Sequence, residues 1–444
     1  MASDRRNLFW TLGHIGLGFL CTLTPFVLIG WFYLILFTNF FKAYNLLQKK
    51  KPAFFFMLFS YLISFELLDR MAKTSPFIPQ ELGKYFLVIM GLLGILVVGV
   101  RYSNGILMAL FVTPAVFYDF SGLRPNYDII NTYLAPLAVG LGIAFAYRLS
   151  VTLQQFNQIL KFIWWTSLAS LIFTYIRTPD FENITFTLKA HSETTAGHSS
   201  NQVSTVLGLG MYLSFYSVFK RLNFSGNRIL DISILFGFTF QGLLSFSRGG
   251  MVVGVVGILM LFFISESSIN GKKRSTSLMI GIIAIIALYA AFEIANDISG
   301  GNLLLRYKGE TAGTLRGTKE VTIDHFVTGR LGIFEQDINL WKDFPFTGVG
   351  AGASRFLRDT ERIGVPAHVE LSRLLADHGI LGIMYALFFF IKIPLKNFQL
   401  NEKSTHRVLL LALLVIAILS TFHAAMRTYV TPLFMILGVL KIKE

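Results

Sequence analysis

The chain has 444 residues, 54% of them hydrophobic and only 14% charged, with a formal net charge of +14. Soluble domains carry about 25% charged residues, so the composition excludes a soluble protein. The positive charge is assigned to loops that anchor one face of a lipid bilayer, and nucleic acid is excluded as its partner. Cys21 is the only cysteine, which excludes a disulfide framework and a thiolate metal site.

Apolar runs of roughly 15–22 residues recur from end to end. They are continuous and do not alternate, which predicts helices and not a β-barrel. The expected spans are 8–22, 25–41, 53–71, 85–100, 104–118, 131–148, 159–175, 201–219, 229–246, 249–265, 277–294, 378–393, 408–422 and 428–441. The first two are short and meet at Thr24-Pro25, which suits a shallow hairpin, so about twelve to fourteen helices are expected. The opening MASDRRNLFW places Arg5 and Arg6 before an apolar run with no small-residue cleavage site, and predicts a retained first helix. The fold class is therefore an all-α, polytopic transmembrane bundle. Residues 1–294 hold the first eleven spans with short loops, 295–377 form one long polar loop with short helices, and 378–444 hold three more spans.

More than half of the lysines and arginines fall in one set of loops, including Arg5 and Arg6, Lys49 to Lys51, Lys220 and Arg221, and Lys272 to Arg274. The positive-inside rule puts that set and both termini in the cytoplasm. The long loop is then outside, in the periplasm if the membrane is a bacterial inner membrane. His191, His198, His325, His368, His378 and His423 sort to the outer face, and only His14 and His406 do not. Chemistry is expected outside.

Four stretches carry candidate chemistry, in chain order. In KAHSETTAGHSSNQVS, residues 189–204, His191 and His198 fit no standard zinc spacing, and the loop reads as polar recognition or as the approach to a helix. In SFSRGGMVVG, residues 245–254, Arg248 sits at a sharp turn between two apolar helices. It cannot shed its proton, so it either waits for an anion or snorkels to headgroups. In TGRLGIFEQDINLWKDFPFTGVGAG, residues 328–352, Leu331, Phe334, Ile338 and Trp341 mark an amphipathic helix with Arg330 in its first turn. Gly348, Gly350 and Gly352 follow in a turn whose N–H groups either hold an anion or only close a tight re-entry to the membrane. In AHVELSRLLADHGILG, residues 367–382, Pro366 suits a helix N1 position and places His368 in the first turn, where the helix dipole favours a neutral ring and a phosphate. The plain alternative for His368 is a capping-region histidine without chemistry.

In order and spacing these pieces resemble the O-antigen ligase and O-antigen polymerase superfamily, bacterial glycosyltransferases that use undecaprenyl-pyrophosphate glycans. The family's closing motif, H-N-x-x-L-x-x-L-A-E-x-G-x-x-G, is matched by His368, Leu375, Ala376, Asp377, Gly379 and Gly382. Val369 stands where the family has Asn, and Ser372 where it has Leu. The upstream pattern is matched by Gly329, Arg330, Trp341, Pro345, Gly348 and Gly350, the S-R-G turn by Ser247, Arg248 and Gly249, and a looser G…N pair by Gly197 and Asn201. The resemblance covers about residues 190–385.

The resemblance implies a metal-independent, cofactor-free transfer of glycan from undecaprenyl pyrophosphate to an acceptor hydroxyl on a glycolipid or glycan, such as lipid A–core. Arg248, Arg330 and His368 are the implied catalytic residues. His368 is expected to act as base, and the arginines to hold the diphosphate, as guanidinium groups do. Arg306, Arg316, Asn201, Gly348 and Gly350 are expected to bind substrate. Polymerases and protein O-oligosaccharyltransferases share these motifs. A transporter or flippase is the reading from another class, and it predicts mid-membrane charges, of which Glu66, Asp69 and Glu293 are the scattered candidates, all near helix ends.

Overall fold

The computed structural model describes residues 2–266, 272–318, 320, 330–359, 362–400 and 406–443. His325 and Gly329 lie outside the described residues. In chain order the helices are α1 (Ala2–Leu23), α2 (Phe26–Gln48), α3 (Ala53–Ile63), α4 (Glu66–Ala72), α5 (Leu82–Val98), α6 (Ser103–Val112), α7 (Asn126–Ala146), α8 (Leu153–Arg177), α9 (Ser200–Lys220), α10 (Arg228–Leu244), α11 (Arg248–Glu266), α12 (Lys272–Ile298), α13 (Asn302–Tyr307), α14 (Ala312–Leu315), α15 (Arg330–Asp343), α16 (Glu370–Ala386), α17 (Ile393–Leu400), α18 (Arg407–Ser420) and α19 (Val430–Gly438). Among the described residues the strands are a single short parallel pair, Ser150–Thr152 with Lys441–Lys443. The chain is therefore an all-α membrane protein. Helices satisfy their own backbone polar groups, which is the condition for crossing hydrocarbon.

Among the described residues, five runs are long and apolar enough to cross a membrane: α2, α7, α8, the 281–298 part of α12, and the continuous stretch from α16 through α17. α5, α11 and α18, and α6 with the turn after it, are shorter apolar helices. Three expectations change. The span 53–71 is two helices, broken between Ile63 and Glu66. The span 378–393 begins earlier, at Glu370, and passes through a π-helical segment at Leu387–Lys392 into α17. Its first turns carry Glu370, Arg373 and Asp377, which pair with one another and so need no separate solvation. Pro366 is not a helix N1 residue: α16 starts at Glu370 after an extended Val369, because the Glu370 N–H is already taken by the Thr421 carbonyl at 2.9 Å.

The chain divides into two compact units. Unit 1 comprises Met1–Thr38, Ser64–Gln80 and Asn157–Phe326. Its centre is α9, buried along almost its whole length between α10 and α11. A Cβ at Gly250 would stand 2.3 Å from the Ser204 carbonyl carbon, so α11 can lie this close to α9 only with glycine there. Unit 2 comprises Asn39–Ile63, Glu81–Phe156 and Val327–Glu444. In it α7 packs on α5 and α6, α15 packs on α16, and α18 packs on α19.

Candidate functional site

In unit 1 the candidate residues form a carbonyl-pinned group. Arg248 opens α11, and its Nη1 donates to the Arg306 carbonyl at 2.7 Å. Arg306, in α13, donates through Nη1 to the Leu188 carbonyl at 2.6 Å and through Nε to the Phe246 carbonyl at 3.4 Å. Ser247 donates to Asn201 Oδ1 at 2.8 Å and accepts from Ser204 at 2.9 Å, which joins the 189–204 loop to the S-R-G turn. The structure thus brings Asn201, Ser247, Arg248 and Arg306 together. Arg316 stands apart from these contacts, exposed at the end of α14.

The two histidines of that loop are separately engaged. His191 Nε2 accepts from the Thr187 N–H at 2.9 Å, and its ring packs edge-on against Phe186 and Phe246. His198 Nε2 lies 3.3 Å from Gln202 Oε1. No group of three or more histidine, cysteine or acidic side chains able to hold a metal occurs among the described residues.

In unit 2 the base of the candidate site is a lattice of buried ion pairs. Arg358 meets Asp337 of α15 with Nε and Nη2, at 2.9 and 2.7 Å from the same oxygen, and both side chains are 0% exposed. The second Asp337 oxygen accepts from Ser372 at 2.8 Å, so the departure from the family's leucine is the hydroxyl that ties α16 to α15. Burial pushes the Asp337 carboxyl upward in pKa, and Arg358 opposes that. Arg373 pairs with Glu370, reaches Asp377 at 3.5 Å, and donates to the Thr132 carbonyl at 3.0 Å. Glu370, Arg373 and Asp377 are therefore scaffold. His378 is also buried, at 1% exposure, and no contact gives it a role.

The glycine turn presents its N–H groups to the chain itself. Gly348 donates to the Phe344 carbonyl at 2.9 Å and Gly350 to the Asp377 carbonyl at 3.1 Å. Gly352 N–H donates to Asp377 Oδ2 at 2.9 Å. The Asp377 carboxylate is held by Gly352 and Ser354, while the Gly348 and Gly350 N–H groups are engaged by backbone carbonyls. A matching break in α16 receives the turn: Gly379 has φ +57°, and a Cβ there would stand 2.6 Å from the Phe346 carbonyl.

Above this lattice lies His368, two residues before α16 and half-buried. Arg330 at the head of α15, Arg358, Arg427 and His423 all act on it. Burial comes first and the three guanidinium groups follow in lowering its pKa to about 3, so the ring is neutral at physiological pH. His423, 4% exposed, is held near 3 by burial and by Arg330. The Arg427 guanidinium is itself lowered to about 10 by burial and by the neighbouring arginines. Sequence reasoning found His368 and Arg330 but missed Arg358, Arg427 and Asp337, and it gave His423 no role. Their one sequence signal is an excess of charge in segments bordering apolar helices.

The apolar helices mark a multi-pass membrane protein, and the histidine–arginine cluster is its candidate site. Residues 233–387 match the family model described as O-antigen ligase, which supports a likeness of this part of the chain to the O-antigen ligase superfamily. The matched segment contains Arg248, Arg306, Arg330, Arg358 and His368 and ends before His423 and Arg427. No curated protein and no solved structure matches the chain.

Proposed function

We propose that the protein is a metal-independent glycosyltransferase of the O-antigen ligase type, placed in a bacterial inner membrane with both termini in the cytoplasm and the His368 site facing the periplasm. Its donor is a glycan on undecaprenyl pyrophosphate, and its acceptor is a hydroxyl of a glycolipid such as lipid A–core. The observation that carries this reading is the placement of His368 among Arg330, Arg358 and Arg427. A base must be unprotonated to act, and the surrounding charge favours a diphosphate that arginine binds through paired N–H groups.

In the reaction, His368 takes the proton of the acceptor hydroxyl. The oxygen forms a bond to the anomeric carbon as the bond from that carbon to the phosphate oxygen breaks. The electron pair leaves on the lipid diphosphate, whose growing charge Arg330 stabilises. Inversion follows from a single displacement. Arg248 is proposed as a further catalytic residue through its sequence motif, and Asn201, Arg306 and Arg316 as substrate-binding residues on the same ground.

The test uses purified protein in lipid nanodiscs, a lipid-pyrophosphate glycan, and either lipid A–core or a second glycan unit as acceptor, with a chelator present. His368→Ala is expected to lower transfer by at least about a hundredfold, and Arg248→Lys to lower it through loss of the fork while charge is kept. A His368→Ala rate equal to wild type rejects the base. Extension of one glycan by another in place of transfer to lipid A–core makes the protein a polymerase.

A further inference from the structure

The hydrogen bonds that fasten His368 come from the turn at 421–429, between α18 and α19. The Ala425 N–H donates to the His368 carbonyl at 3.1 Å, and the Glu370 N–H donates to the Thr421 carbonyl at 2.9 Å. The Met426 N–H donates to Glu370 Oε2 at 3.2 Å. The Arg427 guanidinium donates to the Ala367 carbonyl. Residues 367–370 are thus bracketed by one turn that lies beyond the segment matched by the family model.

We infer that Arg427 is a positioning residue for the transfer reaction, acting through its hydrogen bond to the Ala367 carbonyl and its charge beside His368. The inference rests on the proposed role of His368 as base. The groups that face the His368 ring are Arg330 from α15, Arg358 from the segment after it, and His423 and Arg427 from the 421–429 turn. Glu370, two residues along, is engaged by Arg373 and the Met426 N–H. Of the charges on His368, Arg427 acts most strongly. The same guanidinium fixes the carbonyl one residue before the ring's own, so it holds the proposed base in place and sets positive charge beside it.

The test is the pH dependence of kcat/KM, with kcat and donor KM taken separately, for wild type, Arg427→Gln and Arg427→Lys. Arg427→Gln is expected to lower kcat about tenfold or more at neutral pH with little change in donor KM. It should also move the acid limb of kcat/KM upward by about one pH unit, because a nearby positive charge has gone. Arg427→Lys should leave the limb near its wild-type position and still lose kcat, since an ammonium lacks the planar fork. A limb that stays put in Arg427→Gln overturns the inference. So does a raised donor KM with unchanged kcat, which would make Arg427 a substrate contact. Wild-type kcat in Arg427→Lys overturns the role of the fork even where Arg427→Gln does not fold. Acylation of His368 by diethylpyrocarbonate, followed across pH by mass spectrometry, reads the ring without reference to activity. If His368→Ala is fully active, the base reading fails, while the acylation profile of Arg427→Gln still decides whether Arg427 governs the ring.

Discussion

Both units contain arginines that bond to the chain itself, and they are held in different ways. In unit 1, Arg248 and Arg306 donate to backbone carbonyls. A carbonyl orients a guanidinium through its N–H groups. In unit 2, Arg358 and Arg373 are paired with Asp337, Glu370 and Asp377, and the charge of these arginines is largely neutralised inside the protein. The same residue type therefore pins backbone carbonyls in one unit and closes buried ion pairs in the other. In unit 2 the ion pairs form the floor on which His368, Arg330, His423 and Arg427 stand.

The largest break in this contrast comes from Asp337→Ala. It leaves Arg358 buried and charged without its carboxylate and is expected to cost about 3–5 kcal/mol, read by denaturant titration of the purified protein. A loss near zero would show that the pair is not structural. A smaller effect is expected from pH. His423 lies near 3 in the folded protein, against an ordinary 6.5. The unfolded chain therefore binds more protons between those values, and stability is lost as pH falls from about 6.5 toward 3. Between about pH 6.5 and 5 this histidine contributes about 2 kcal/mol of that loss. His423→Gln, which keeps an N–H for the Leu419 carbonyl, should flatten the pH dependence of the thermal midpoint by a matching amount. The smallest effect is expected in unit 1. Arg306→Met removes hydrogen bonds to carbonyls and should cost about 1–2 kcal/mol. If it costs as much as Asp337→Ala, the distinction between the two kinds of arginine fails.

The helices were legible because membrane crossing forces long apolar runs, and most expected spans lie on observed helices. The exceptions arise where tertiary contacts override local pattern. Pro366 has the look of a helix start, yet a hydrogen bond from Glu370 to Thr421 moves the start downstream. The glycine triplet has the look of an anion site, yet its N–H groups bond within the chain, Gly352 to the Asp377 carboxylate and Gly348 and Gly350 to backbone carbonyls. Ser372, a departure from the family pattern, makes sense only beside Asp337, 35 residues away in sequence. Arg427 is 60 residues from the carbonyl it holds. Periodicity and motif spacing record short-range relations, so residues that join the site over such separations leave no local trace.

The turn at 421–429 also has a consequence for biogenesis. A ribosome that has delivered the chain only as far as α16 has exposed Arg330 and His368 but not the residues that fasten them. His368 is fastened only after α18 has been inserted and residue 427 has followed it. A nascent chain would thus leave residues 367–370 unbraced until the 421–427 segment arrives, and a protein cut short within α18 would carry the matched segment without that brace.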